Sequence, residues 1–231
     1  MSIIYLTGDT HGSHTINKLA SSNFPEGLKL TKQDYVIILG DFGLIWKDEP
    51  DKNELYWMEW LTNKPWTTLV LQGNHENNPR INSLPTVKKF GSIIHKYNES
   101  IFFFKRGEIY NIDNDIFFTM GGAISIDKDE REPGRTWWPE EIPSTAEFEL
   151  GLTNLDKIDW NVDYILGHTT DNDTIDIMFN PRWKLNDAVC NYFDIIVEKI
   201  NFKIFYFGHW HKDQKHKKYH CLYHDIIKLG T

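Results

Sequence analysis

The amino-acid sequence predicts an α/β fold in which two packed β-sheets are flanked by helices. Three observations lead there. Five short runs, "SIIYLTGD", "DYVIILGD", "TTLVLQGNHE", "DYILGHTT" and "KIFYFGHWH", are apolar without alternating, as strands covered on both faces are. Segments with apolar residues at three- and four-residue spacing lie between some of them. Hairpin-like stretches fill the middle and the tail, a mixture that suits two sheets under helical outer layers.

Taken in order, strands are expected near residues 2–6 and 35–39. A helix over 51–64, "DKNELYWMEWLTNK", sets Leu55, Met58 and Leu61, with Trp57 and Trp60, at helical spacing, and its tryptophans read as core. A strand near 67–71 follows. Residues 99–122 read as β-hairpins with an Asp-Asn turn. Residues 123–144 are polar, contain three prolines, and carry Arg131 and Arg135 beside Trp137 and Trp138. They read as a long loop, and such loops in compact domains are often functional. The helix expected over 144–158 begins with a serine and has a glutamate three residues later, a capping-box pattern. A strand near 163–166, a helix over 185–200, a strand near 203–207 and a hairpin-like tail over 217–230 complete the chain. With no internal repeat or convincing linker, the 231 residues read as one domain with a long loop near 123–144.

Composition narrows the function classes. Apolar residues make up 40% and aromatic residues 14%, so the chain is globular. The net charge of −8 argues against strong nonspecific binding to nucleic acid, which draws on lysine and arginine against phosphates. No apolar stretch is long enough to span a bilayer, so no membrane partner is expected. The start, "MSIIYLTGDTHG", lacks the features of a signal peptide. Cys190 and Cys221 read as buried free thiols in a reducing compartment, which makes a cytoplasmic location the expectation.

The chemistry concentrates where the five runs end. Asp9 and His11 follow the first, Asp41 the second, Asn74 and His75 the third, His168 the fourth, and His209 and His211 the fifth. A glycine precedes the first of these residues at all five ends, letting the backbone turn sharply and approach a ligand. In extended backbone, residues i and i+2 share a side, so Asp9 with His11 and His209 with His211 form two clamps. Carboxylate, amide and imidazole together favour Mn²⁺, Fe²⁺ or Zn²⁺ over calcium. Seven donors exceed one tetrahedral zinc. They suit two metals, about 3.5–4 Å apart, sharing a bridging carboxylate. Each motif alone is also accounted for by a turn or a capped strand end; the ordered set of five carries the argument. His14, His95, His216, His220 and His224 read as surface or structural, and "KHKKYH" over 215–220 as a solvated turn, with a phosphate-bearing partner as its other reading.

The ordered set Asp-x-His, Gly-Asp, Gly-Asn-His-Glu, Gly-His and Gly-His-x-His resembles the calcineurin-like metallophosphoesterases, over residues 8–211. The segment "GGAISIDKDEREPGRTWWPEE" is similar to a loop of small bacterial and phage members. The resemblance implies a four-layered α/β/β/α sandwich of two mixed sheets. It implies that Asp9, His11 and His211 hold one divalent metal, that Asp41 bridges, and that Asn74, His168 and His209 complete the second site. Manganese is the first expectation, with iron, zinc, nickel or magnesium as alternatives. A hydroxide between the metals then attacks a phosphoester, and His75 is the catalytic proton donor.

Many members extend the second motif to Gly-Asp-x-x-Asp-Arg-Gly. The stretch here is "GDFGLIWKDE", without that second Asp or the Arg. This argues against a phosphoprotein and slightly for a phosphodiester or nucleotide substrate. Arg131 or Arg135 is then a candidate for the missing cation, with Trp137 as a surface for a base or ring, against a purely structural loop. Two other readings stay open: a phage-type phosphoprotein (Ser/Thr) phosphatase, and a non-catalytic scaffold or binding protein of the same fold. Presence of all eight positions favours an enzyme.

Overall fold

A computed structural model describes residues 1–181 and 186–231. The first half of the chain gives β1 (Ile4–Thr7), β2 (Tyr35–Ile38), α1 (Lys52–Thr62), β3 (Thr67–Val70), α2 (Asn78–Asn82), β4 (Thr86–Lys89), β5 (Ser92–Lys96) and β6 (Ile101–Phe103). The second half gives β7 (Glu108–Ile112), β8 (Asp115–Met120), α3 (Thr145–Asp156), β9 (Tyr164–Gly167), α4 (Asn172–Phe179), α5 (Ala188–Val197), β10 (Ile204–Phe207), β11 (Gln214–His216), β12 (Tyr219–Cys221) and β13 (Ile226–Lys228).

The strands form two mixed sheets. One has seven strands in the order β13-β1-β2-β3-β6-β5-β4, the other six in the order β11-β12-β10-β9-β8-β7. β1, β2, β3 and β6 are parallel neighbours, as are β8, β9, β10 and β12. Side chains alternate between two apolar environments, which is why the runs do not alternate in polarity. Ile37, Leu39, Leu69 and Leu71 join Tyr110, Phe117, Leu166 and Tyr206 in one core cluster between the sheets. Val36, Ile38 and Val70 pack outward with Met58 and Leu61 of α1. Phe118, Ile165 and Phe205 pack outward with Leu155, Met178 and Phe193 of α3, α4 and α5. Helix, sheet, sheet and helix are thus held by three apolar seams, the expected four-layered sandwich.

The expected main strands and helices are present, with informative differences. Only β7 and β8 make a hairpin within 99–122; Asp113 and Asn114, both at positive φ, form its turn. β6 instead joins the other sheet, parallel to β3. The tail also divides, β12 lying in the six-stranded sheet and β13 beside β1 in the seven-stranded one. The cluster 215–220 spans the β11–β12 hairpin. The sequence pattern does not announce the β4–β5 hairpin, which turns at Phe90 and Gly91, or the short α2 and α4. In α1 the buried face is Glu54, Met58 and Leu61; Leu55 is 52% exposed. Glu54 is buried because Arg80 binds both its oxygens, at 2.6 and 2.7 Å.

Ser144 and Glu147 form the expected capping box on α3. The helix expected over 185–200 is α5, and Leu185 lies outside the described residues. The segment 123–144 is a loop with short 3₁₀ turns at Lys128–Glu130 and Pro139–Glu141. Among the described residues, no helix is long and apolar enough to cross a membrane.

Candidate metal centre

Five loops, each leaving the C-terminal end of β1, β2, β3, β9 or β10, bring the candidate ligands together. Among the described residues they form two groups able to hold a metal, with ligand atoms within 4.8 Å of one another: Asp9, His11, Asp41 and His211, and Asp41, His168 and His209. Asp41 belongs to both. Asn74 adjoins the second group, its Oδ1 3.0 Å from His168 Nε2 and 3.0 Å from His209 Nδ1. His11 Nε2 and His211 Nε2 face each other at 2.9 Å.

The clamps do not arise from extended backbone. His11, Asp41, His209 and His211 have φ of 43°, 48°, 66° and 49°. Such left-handed conformations cost an L-residue of order 1–2 kcal/mol. They turn the chain sharply just past each strand end. Hydrogen bonds between loops hold the strain in place. Thr10 and His11 donate backbone N–H groups to the Asp41 carbonyl at 3.0 and 2.8 Å, and Gly12 donates to the Phe42 carbonyl at 2.8 Å.

Each aspartate holds a neighbouring loop with one oxygen. Asp9 Oδ1 accepts the His209 N–H at 3.0 Å, and Asp41 Oδ1 accepts those of Asn74 and His75 at 3.0 and 2.9 Å. Asp9 Oδ2 is buried and, among the described residues, accepts no hydrogen bond of good geometry. Its near neighbours are the Nε2 atoms of His211 at 3.1 Å and His11 at 3.8 Å. An orphaned carboxylate oxygen facing converging imidazole nitrogens is a donor set that a divalent cation satisfies.

The glycines make room for these contacts. A methyl group at Gly40 would meet His168 Nδ1 at 2.3 Å, one at Gly73 would meet Asp41 Oδ1 at 2.3 Å, and one at Gly208 would meet Asp9 Oδ1 at 2.3 Å. At each of these positions, the ligand of another strand passes where a side chain would stand.

Electrostatics divide the imidazoles. His168 donates from Nδ1 to the Leu39 carbonyl at 2.7 Å and turns Nε2 to Asp41 Oδ1 at 3.1 Å. Burial favours its neutral form, but the Asp41 carboxylate prevails and raises its pKa to about 10. His209 is pushed down to about 4, first by burial and then by His168. Burial also lowers His11, whereas the adjacent Asp9 carboxylate raises His211.

His75 sits at the edge of the centre. Its ring lies parallel to Trp46, with centroids 6.0 Å apart and 17° between planes. Arg131 Nη1 donates to its Nδ1 at 3.3 Å, and Arg131 is itself held by Asp127 at 2.7 Å and the Thr136 carbonyl at 3.1 Å. Arg135 points elsewhere, 76% exposed and paired with Glu132 at 3.0 Å. The Trp137 indole nitrogen is buried. His75 lines two clefts: one of about 360 Å³ with Trp46, His14 and Asn53, and one of about 400 Å³ with Ile124, Ile126 and Trp210.

Several residues that sequence reasoning left without a role support the centre. Glu76 accepts the N–H groups of Phe42 at 2.5 Å and Gly73 at 2.7 Å, and burial and Asp41 raise its pKa to about 8. Lys18 Nζ donates to the carbonyls of Gly8 and Asp9, each at 2.9 Å, and of Tyr223. The Tyr223 ring stacks on His211 with centroids 4.5 Å apart. Only Glu76 had a signal, its place in "GNHE".

Fold and site together define a two-sheet α/β protein with Asp/His groups able to hold metal ions. A model of the calcineurin-like phosphoesterase family matches residues 3–213, and the chain belongs to that family. Among curated proteins, no sequence matches it significantly.

Proposed function

We propose that this protein is a metal-dependent phosphoester hydrolase with a two-cation centre, acting on a phosphodiester or nucleotide. The observation behind this reading is the membership of Asp41 in both ligand groups. Asp9, His11 and His211 would hold one cation and Asn74, His168 and His209 the other, with Asp41 shared. Manganese suits the mixed oxygen and nitrogen donors, which also accept iron, zinc, nickel or magnesium. Bound there, the cations would make water nucleophilic near neutral pH and neutralise charge on phosphoryl oxygens.

The remaining roles fall to the chain. With Nδ1 accepting from Arg131, a neutral His75 carries its proton on Nε2. We assign that nitrogen as the proton donor to the leaving oxygen. The His75 N–H on Asp41 keeps the ring beside the centre, and Arg131 orients it. The two clefts that share His75 offer places for two organic arms, as a diester has. Arg131 is already engaged by Asp127 and Thr136, which leaves it poorly placed to grip a terminal phosphate. The buried free thiols Cys190 and Cys221 are in keeping with a cytoplasmic setting.

The test compares Mn²⁺-dependent hydrolysis of bis-(p-nitrophenyl) phosphate with that of p-nitrophenyl phosphate. The diester is expected to be cleaved faster. Preference for the monoester would overturn the substrate reading. Cleavage of neither by Mn²⁺-loaded protein would favour a non-catalytic binding protein.

A further inference from the structure

The end of the Asn74 amide that faces the centre is not decided by Asn74 itself. Its Oδ1 lies 3.0 Å from both His168 Nε2 and His209 Nδ1, while its Nδ2 donates to Ser125 Oγ at 2.9 Å. The Ser125 hydroxyl in turn donates to Glu141 Oε2 at 2.5 Å, and the Ser125 N–H donates to Glu141 Oε1 at 2.9 Å. Asn74, Ser125 and Glu141 are 3%, 3% and 1% exposed, so water does not substitute for any of them.

We propose that Ser125 and Glu141, both from the 123–144 loop, are positioning residues that orient the Asn74 amide toward the second cation. The logic is directional. Burial raises the Glu141 pKa and the two bonds from Ser125 oppose that shift; in its ionised form the carboxylate only accepts, so the Ser125 proton points to it. The lone pair left on Ser125 Oγ must then accept, and the Asn74 NH₂ is the donor that reaches it. The carbonyl end is thereby turned to His168 and His209. A flipped amide would set oxygen against the Ser125 lone pair and N–H groups against the cation position, leaving buried polar groups unmatched on both sides. Arg106, buried behind the loop, fixes this backbone by donating to the carbonyls of Glu140 at 2.8 Å and Glu141 at 3.2 Å. The loop therefore supplies a second layer around a ligand, a layer whose removal typically weakens metal binding 10- to 100-fold.

This rests on the two-cation reading, and the experiment separates the two. Mn²⁺ binding is followed by calorimetry, and at full loading the spin-coupled pair signal is recorded by electron paramagnetic resonance. The wild-type protein is expected to bind two ions. S125A should retain one site at wild-type affinity, weaken the other roughly 10- to 100-fold, and replace the coupled signal with that of isolated Mn²⁺ at matched loading. N74A should weaken the same site. The double variant S125A/N74A should be no worse than N74A, because the serine acts through the amide. E141Q keeps the shape but loses one acceptor; a smaller loss at that site is expected, and it decides the matter should S125A fail to fold. Wild-type affinity at both sites in S125A and E141Q, or additive losses in the double variant, would overturn the assignment while leaving two cations in place. A wild-type protein that binds fewer than two ions would overturn the two-cation reading and this assignment with it.

Discussion

His168 Nε2 lies 3.1 Å from Asp41 Oδ1, with both side chains buried. A proton on His168 Nε2 would lie between the two, and a cation held there would take its place.

That pair sets a pH dependence with a definite sign. The His168 pKa is raised to about 10, above its unfolded value near 6.5. Its contribution to stability is therefore complete below about pH 6.5 and is lost as the pH climbs through 10. Denaturant melts of metal-free wild type and His168→Gln should show the largest difference at or below pH 6.5, shrinking toward pH 10. A difference that grows over that window would mean His168 is neutral in the folded protein. Mn²⁺ uptake near pH 7.5 should correspondingly release about one proton from His168, read by calorimetry in buffers of different ionisation enthalpy.

Asp41→Ala should lower Mn²⁺ occupancy at both sites, because Asp41 stands in both ligand groups. Metal content of the purified variant, measured after loading and desalting, reads this directly. Loss of a single ion would show that the carboxylate serves one site only.

His75→Ala should keep its metal and lose roughly 10²- to 10⁴-fold in turnover, the usual contribution of a positioned acid or base. Full turnover would remove His75 from the mechanism. Arg131→Ala should lower kcat through the freed imidazole, whereas Arg135→Ala should match wild type, since among the described residues the exposed Arg135 side chain bonds only Glu132. Equal losses in the two arginine variants would contradict this division.

Lys18→Met should cost about 1–3 kcal/mol in a urea melt, since three carbonyls lose their ammonium donor at once. A change below about 0.5 kcal/mol would show that water replaces the ammonium, the ordinary range for an unimportant surface site.

What the sequence makes legible is local. A glycine followed by a donor residue at the end of an apolar run is a contiguous signal, so the seven candidate ligands could be picked out. The serine and glutamate that open α3 are likewise neighbours in the chain. Relations across distance could not be read. β6 and β13 change sheets through pairings with β3 and β1 that no nearby residue announces. Glu54 turns inward in α1 and Leu55 outward because Arg80, on another helix, supplies the charge that makes burial possible. Left-handed turns at His11, Asp41, His209 and His211 defy the propensity of those residue types and persist through bonds between loops. Ser125 and Glu141 are common residues in a segment without periodicity, and only their meeting with Asn74 gives them meaning.

The vacancies at Gly40, Gly73 and Gly208 bear on how such a protein can die. An alanine at any one of these glycines would wedge two loops apart without erasing a single candidate donor. The empty volume beside His168, Asp41 and Asp9 is as much a part of the inherited apparatus as those side chains themselves.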